Sequence, residues 1–182
     1  MYKYTLKCII FLQKDVDKLK DICYNDYRNL RKEISTMTKA IYFDMDGTIA
    51  NLYGVEGWLE KLRAENPAPY EKAAPLLKLN QLAKILNNLQ RRGWSIGIIS
   101  WLSKNSSKNY DLEVTKAKIK WLKSHFASVN FDEIKIVPYG TPKENSVKFP
   151  KGILFDDEEK NRKNWKGKAF DEKNILEILK TL

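Results

Sequence analysis

Histidine and cysteine are scarce in this chain of 182 residues, which has one of the first and two of the second. Cys8 and Cys23 lack metal-ligand spacing, and His125 has no cysteine near it. That excludes a zinc site and a disulfide-stapled scaffold, and a reduced, cytoplasmic setting is the expectation. Ser103, Ser106 and Ser107 have no neighbouring histidine, so a serine nucleophile is not indicated. Long apolar runs are missing as well. Near the N-terminus the longest is Cys8–Leu12, too short for a bilayer and not followed by a small-residue cleavage site, so no membrane helix or signal peptide is expected. Internal repeats and low-complexity tracts are absent. The first 36 residues contain no Gly, Pro, Ala, Trp or His.

What remains is an ordinary globular composition, 43% apolar, in a chain of one-domain length. Acidic residues are outnumbered, giving a formal net charge of +10. Such an exterior can steer phosphate-bearing ligands, and it also suits plain solubility. In residues 1–36, Val16, Leu19, Cys23, Tyr27, Leu30 and Ile34 recur at helical spacing and suggest a lone amphipathic helix. Arg31-Lys32-Glu33 can be encoded by a purine run resembling a ribosome-binding site, three codons before Met37. The expectation is that Met37 is the native start, that residues 1–36 are an upstream extension without chemistry, and that residues 37–182 form the domain.

From Lys39 onward, strand and helix patterns alternate. Strands are expected at Ala40–Asp44, Trp94–Ser100, Ile134–Pro138, Gly152–Asp156 and Gly167–Phe170. Apolar stripes place helices over Leu79–Leu89, ended at Gly93, over about Asp111–Phe126, and over Glu172–Lys180. This alternation predicts an α/β fold: a three-layered, Rossmann-like, mostly parallel sheet. Residues 50–78 break the rhythm with Pro67, Pro69, Pro75 and several aromatics, and read as a small cap insertion over one end of the sheet.

Three apolar runs end on functional groups: Ile41-Tyr42-Phe43 on Asp44, Ile96-Gly97-Ile98-Ile99 on Ser100, and Ile153-Leu154-Phe155 on Asp156-Asp157. In an open parallel sheet, ligands bind beyond the carboxyl ends of the strands, so these tips share one edge if the strands are neighbours. The chemistry that fits is phosphoryl transfer through an aspartyl-phosphate. Asp44 can attack phosphorus; Asp46 can protonate the leaving oxygen and then deprotonate water. Because nucleophile and phosphate are both anionic, a Mg²⁺ ion is expected among them, held by Asp44, the Asp46 backbone carbonyl and one acid of Asp156-Asp157. Ser100 can hydrogen-bond a phosphoryl oxygen, Thr48 supplies a hydroxyl beside Asp46, and a lysine would balance the remaining charge.

Asp44-Met45-Asp46-Gly47-Thr48, then Ser100, a lysine and Asp156-Asp157, resembles the four-motif signature of the haloacid dehalogenase superfamily of phosphohydrolases. The resemblance covers residues 39 to about 172. It implies Asp44 as nucleophile, Asp46 as acid/base, and Asp157 as the metal ligand of the paired acids with Asp156 as the alternative. Lys143, in Gly140-Thr141-Pro142-Lys143, sits where the third-motif lysine is often found; Lys148 and Lys116 are the competitors, and Lys151 lies too near the strand.

A finer similarity is to the 5′(3′)-deoxyribonucleotidases. It rests on Asp44-Met45-Asp46-Gly47 with an insertion directly after it, on Lys118-Ile119-Lys120-Trp121-Leu122 ahead of Phe131-Asp132, and on Asp156-Asp157 followed by Asn161 and Trp165. It implies a nucleotide substrate, its base held by aromatic rings, though this insertion is shorter than that family's cap. Thr48, Trp101 and Tyr53 are the expected substrate contacts; Trp58 and Tyr70 are read first as packing residues. Two alternatives stay open: a polynucleotide 3′-phosphatase with an open site, and a nucleic-acid-binding module without catalysis. Against the latter, two carboxylates as close as Asp44 and Asp46 are costly without a cation.

Overall fold

All four residues of Ala40–Phe43 (β1) are buried, so both faces of this strand are covered. A computed structural model describes residues 39–182. The expected N-terminal helix and the start at Met37 lie outside the described residues. Next to β1 come β2 (Ala50–Asn51), α1 (Trp58–Arg63), α2 (Ala68–Lys72) and β3 (Ala74–Pro75). After them follow α3 (Leu79–Arg91), β4 (Ser95–Trp101), α4 (Lys108–His125) and β5 (Glu133–Val137). The chain ends with β6 (Ile153–Phe155), α5 (Glu159–Asn164), β7 (Ala169–Phe170) and α6 (Ile175–Thr181).

The main sheet has the order β5-β4-β1-β6-β7, and every pairing in it is parallel. This is the α/β, Rossmann-like architecture that the alternating pattern predicts. Ala40 and Tyr42 point to one face, packed with Ile99, Leu154 and Trp165. Ile41 and Phe43, on the opposite face by strand alternation, are equally buried. Helix α3 forms because its apolar residues fall on one stripe; Leu82, Leu86 and Leu89 are buried, each burial stabilising by roughly 1.5–3 kcal/mol. The chain leaves α3 through Gly93, at φ 82°.

Residues 50–78 fold back on themselves. Their two ends pair antiparallel as β2 and β3, Ala50 opposite Pro75 and Asn51 opposite Ala74. Between them lie α1, whose Trp58 and Leu62 pack on a cluster, and α2; in that cluster Leu52 and Tyr70 join Leu102, Tyr110, Val114 and Ala117. Hydrogen bonds tie this insertion to α4 and the loop before it. Trp121 Nε1 donates to Ala73 O at 2.7 Å, Tyr110 Oη donates to Asn66 O at 3.1 Å, and the Tyr70 and Ser103 hydroxyls lie 2.7 Å apart.

Helix α4 starts three residues before the expected Asp111. Ser107 caps it, accepting from Tyr110 N at 3.3 Å, while Glu65 of the insertion accepts from both Ser107 N and Ser107 Oγ at 2.6 Å. At the other end of the sheet β7 is shorter than expected, with two paired residues rather than four.

Candidate active site

Register alone gathers the acidic residues. Phe43 pairs with Phe155 on one side and with Ile98 on the other. Asp44 and Asp156, each one residue further on, therefore stand side by side, and Ser100 sits one step beyond them on β4. Asp44 N donates to Phe155 O at 2.9 Å, which fixes the nucleophile candidate at the strand tip. The loop that follows coils around one carbonyl: Met45 O accepts from Thr48 N, Ile49 N and Ala50 N. Gly47 makes that coil possible, with φ at 78° and no room for a Cβ, which would collide with the Asp157 carboxylate and the Tyr53 ring.

Carboxylate oxygens of Asp44, Asp156 and Asp157 all lie within 4.8 Å of one another. Lys143 reaches them from the 3₁₀ turn after β5, its ammonium 2.7 Å from Asp156 Oδ2 and 3.0 Å from Asp44 Oδ1. The Asp44 contact is off the line of a hydrogen bond, so Asp44 Oδ1 is shielded from solvent with no directed donor. Burial alone would lower the Lys143 pKa; the charges of Asp44 and Asp156 outweigh it and hold the ammonium above its ordinary value. Lys116 and Lys148, the sequence competitors, are exposed, as is Lys151.

Asp156 is saturated. It accepts from Lys143 Nζ, Asn161 Nδ2 and Glu158 N. Asp157 has fewer partners: its Oδ1 accepts from Thr48 Oγ1 at 3.2 Å, while its own N donates to that hydroxyl at 3.1 Å. Thr48 is fully buried and engaged with Asp157 rather than turned to the cavity. Burial, followed by the charge of Asp44, pushes Asp156 up to about 6 and Asp157 up to about 7. Acids raised in this way are the ones a hard cation would ionise.

Asp46 points the other way. Its Oδ2 is 2.6 Å from the ammonium of Lys118, which comes from the buried face of α4. Burial raises the Asp46 carboxyl pKa, opposed by the Lys118 charge. Ser100, fully buried, accepts from the same ammonium at 2.9 Å. In the sequence Lys118 stands in the run Lys118-Ile119-Lys120-Trp121-Leu122, with no role of its own implied. Its signal was there to be used: it is a lysine inside the buried stripe Val114, Ala117, Trp121 and Leu122. Arg162 belongs to the charged run Glu158–Lys163, whose pattern suggests a solvated helix face; it donates instead to the backbone carbonyls of Asp156 and Asp157, both at 2.7 Å.

A cavity of about 670 Å³ opens over these groups. Of the predicted residues, Asp44, Asp46, Tyr53 and Trp101 line it. Trp58 and Tyr70 line it as well, although Tyr70 is also buried in the cluster with α4. Trp101 is pinned by its indole nitrogen donating to Thr141 O at 2.8 Å, and its ring lies 5.0 Å from the Lys143 ammonium. His125 stacks on Trp121 at the end of α4, away from the acids. Trp165 Nε1 donates to Gly152 O and holds the segment behind β6.

Four carboxylates (Asp44, Asp46, Asp156, Asp157) thus meet two ammonium groups (Lys118, Lys143). The excess of two negative charges, the orphaned Asp44 oxygen and the all-oxygen donor set fit a hard divalent cation.

No family model and no curated protein matches the chain. Among solved structures it is similar to the D,D-heptose 1,7-bisphosphate phosphatase from Burkholderia thailandensis, with 12% identity and a TM-score of 0.42. That alignment covers 69% of this chain and 70% of the other. A likeness so distant adds no weight to a functional assignment, which rests on the residues just described.

Proposed function

We propose that this protein is a Mg²⁺-dependent phosphatase of the haloacid dehalogenase type, hydrolysing a phosphorylated small molecule through an aspartyl-phosphate. The observation that carries the proposal is the buried Asp44 carboxylate at a strand tip, gathered with Asp156 and Asp157 and 3.0 Å from the Lys143 ammonium.

In this mechanism an Asp44 oxygen attacks phosphorus, the P–O bond to the ester oxygen breaks, and the leaving oxygen takes a proton from Asp46. Asp46 next removes a proton from water. That water attacks phosphorus, the Asp44–phosphorus bond breaks, and inorganic phosphate departs with Asp44 regenerated. Lys143 neutralises Asp44 and Asp156, and Ser100 donates to a phosphoryl oxygen. Asp44, the Asp46 carbonyl and Asp157 would hold the ion, with Asp156 oriented by Lys143 and Asn161 as a nearby further acid. Bound there, Mg²⁺ supplies charge neutralisation between nucleophile and phosphate. Thr48 orients Asp157.

The pKa shifts lead to a metal test. Without metal, Asp156 and Asp157 bind protons in the folded state at pH values where the unfolded chain has released them. Their contribution therefore favours the fold below about pH 4 and is lost as pH rises through about 6–7. A cation binds the ionised acids, so Mg²⁺ is expected to raise the melting temperature more at about pH 8 than at about pH 5. Equal shifts at the two pH values, read by calorimetry, would speak against these ligands.

The substrate class we infer is a (deoxy)nucleoside monophosphate. Aromatic residues Tyr53, Trp58 and Trp101 line a cavity of mononucleotide scale, and stacking on a base contributes about 1–3 kcal/mol. The insertion at residues 50–78 acts as the cap. Among the described residues no helix is long and apolar enough to cross a membrane. Phosphate release should be screened with nucleoside monophosphates, sugar phosphates and 3′-phosphorylated oligonucleotides, with and without Mg²⁺. Mononucleotides are expected to lead, and Trp101→Ala to raise their KM by about tenfold with a smaller change in kcat. A clear preference for the oligonucleotides would move the assignment to polynucleotide 3′-phosphatase; DNA affinity that falls steeply with salt, without turnover, would replace the enzyme by a binding module.

A further inference from the structure

We propose that Lys118 is a positioning residue for the reaction, holding the Asp46 carboxylate in the orientation that serves the leaving oxygen. The inference rests on the phosphatase reading of Asp46 and goes beyond it. Lys118 is 1% exposed, on the apolar face of α4. An ammonium has three protons to donate, and all three are used here. They go to Asp46 Oδ2 at 2.6 Å, Trp101 O at 2.6 Å and Ser100 Oγ at 2.9 Å. The Tyr70 ring closes the remaining side, 5.1 Å from the nitrogen.

Two of those acceptors belong to β4, the strand next to β1. Lys118 therefore ties the loop bearing Asp46 to a fixed strand, independently of the metal-side cluster held by Lys143. Occupation of Oδ2 leaves Oδ1 as the oxygen free to exchange a proton with substrate. Because Ser100 Oγ accepts from Lys118, its own proton is left to be donated elsewhere. Fold stability does not call for this arrangement: a buried ion pair can commonly be replaced by apolar side chains at little or no cost. The charge sits where the chemistry would need a fixed carboxylate.

The test is a double-mutant cycle of Lys118→Met and Asp46→Asn, with melting temperatures and steady-state kinetics on an alkyl phosphate and on p-nitrophenyl phosphate. Lys118→Met alone is expected to lower kcat on the alkyl ester by about 30–100-fold with KM changed less than about threefold. On p-nitrophenyl phosphate, whose leaving group needs no proton, the loss should be several-fold smaller. In the Asp46→Asn background the same substitution should change kcat by less than about threefold, because its effect passes through Asp46. If Lys118→Met is insoluble, Lys118→Gln takes its place, with the same pattern expected.

A variant with unchanged kcat and a lowered melting temperature overturns the assignment, as do losses that multiply in the double variant. A wild type inactive on every phosphate ester removes the phosphatase reading and this assignment with it. An active wild type beside an indifferent Lys118→Met removes this assignment alone.

Discussion

Asp44→Asn is expected to abolish phosphate release, with a loss of at least about a thousandfold, while leaving the melting temperature close to that of the wild type. The amide is nearly isosteric with the carboxylate, and the strand-tip contact that places residue 44 is a backbone one, from its N to Phe155 O. An amide oxygen is a far poorer nucleophile toward phosphorus, and it carries no charge for a cation. Substitution also relieves crowding, since Asp44 is a main cause after burial of the raised Asp156 and Asp157 pKa values. Those two pKa values should fall in the variant, measurable by carboxylate NMR. Retention of substantial turnover would exclude Asp44 as the nucleophile.

Lys143→Met should act on both stability and turnover, which sets it apart from every surface lysine. Its ammonium is 3% exposed and is the buried counter-charge to Asp44 and Asp156. Removing one partner of such a cluster leaves uncompensated buried charge at a cost of about 3–5 kcal/mol, or a melting-temperature loss on the order of 10 °C. The variant is expected to recover part of that loss at acid pH, where Asp156, already pushed up to about 6 by burial and by the charge of Asp44, takes up a proton. Turnover should drop by at least about a hundredfold through lost stabilisation of phosphoryl charge. Lys148→Met is the control: Lys148 is exposed and touches none of the acids, so less than about a twofold change is expected. Similar small effects from both substitutions would remove Lys143 from the site.

Where the sequence could be read in advance, it was because local pattern and long-range position agreed. β1 reads as a buried strand from four apolar residues, and a parallel sheet requires its tip to face the same way as those of β4 and β6. Asp44, Ser100 and Asp156 follow from that without knowledge of any side-chain contact. Contacts made across the fold could not be read so directly. Lys118 approaches Asp46 from a helix 72 residues further along, and a lysine on a helix is by default a surface residue. Only its place among Val114, Ala117 and Trp121 marks it as different. Arg162 looks like half of a solvated charge run because its partners are carbonyls, which carry no mark in a sequence. Thr48 was read from its adjacency to Asp46, whereas its hydroxyl meets Asp157, 109 residues away. The early start of α4 depends on Glu65, supplied by the insertion and invisible to a local capping rule.

Helix α4 touches both parts of the molecule that a ligand would have to satisfy. Near its start Tyr110 grips Asn66, further along Trp121 grips Ala73, and between them Lys118 grips Asp46. A single rigid rod thus sets the height of the roof above the floor. Raising the roof as a hinged flap would break the two hydrogen bonds that join it to that rod. Tyr53 and Tyr139, each about half exposed, line the cavity that the rod holds open between them.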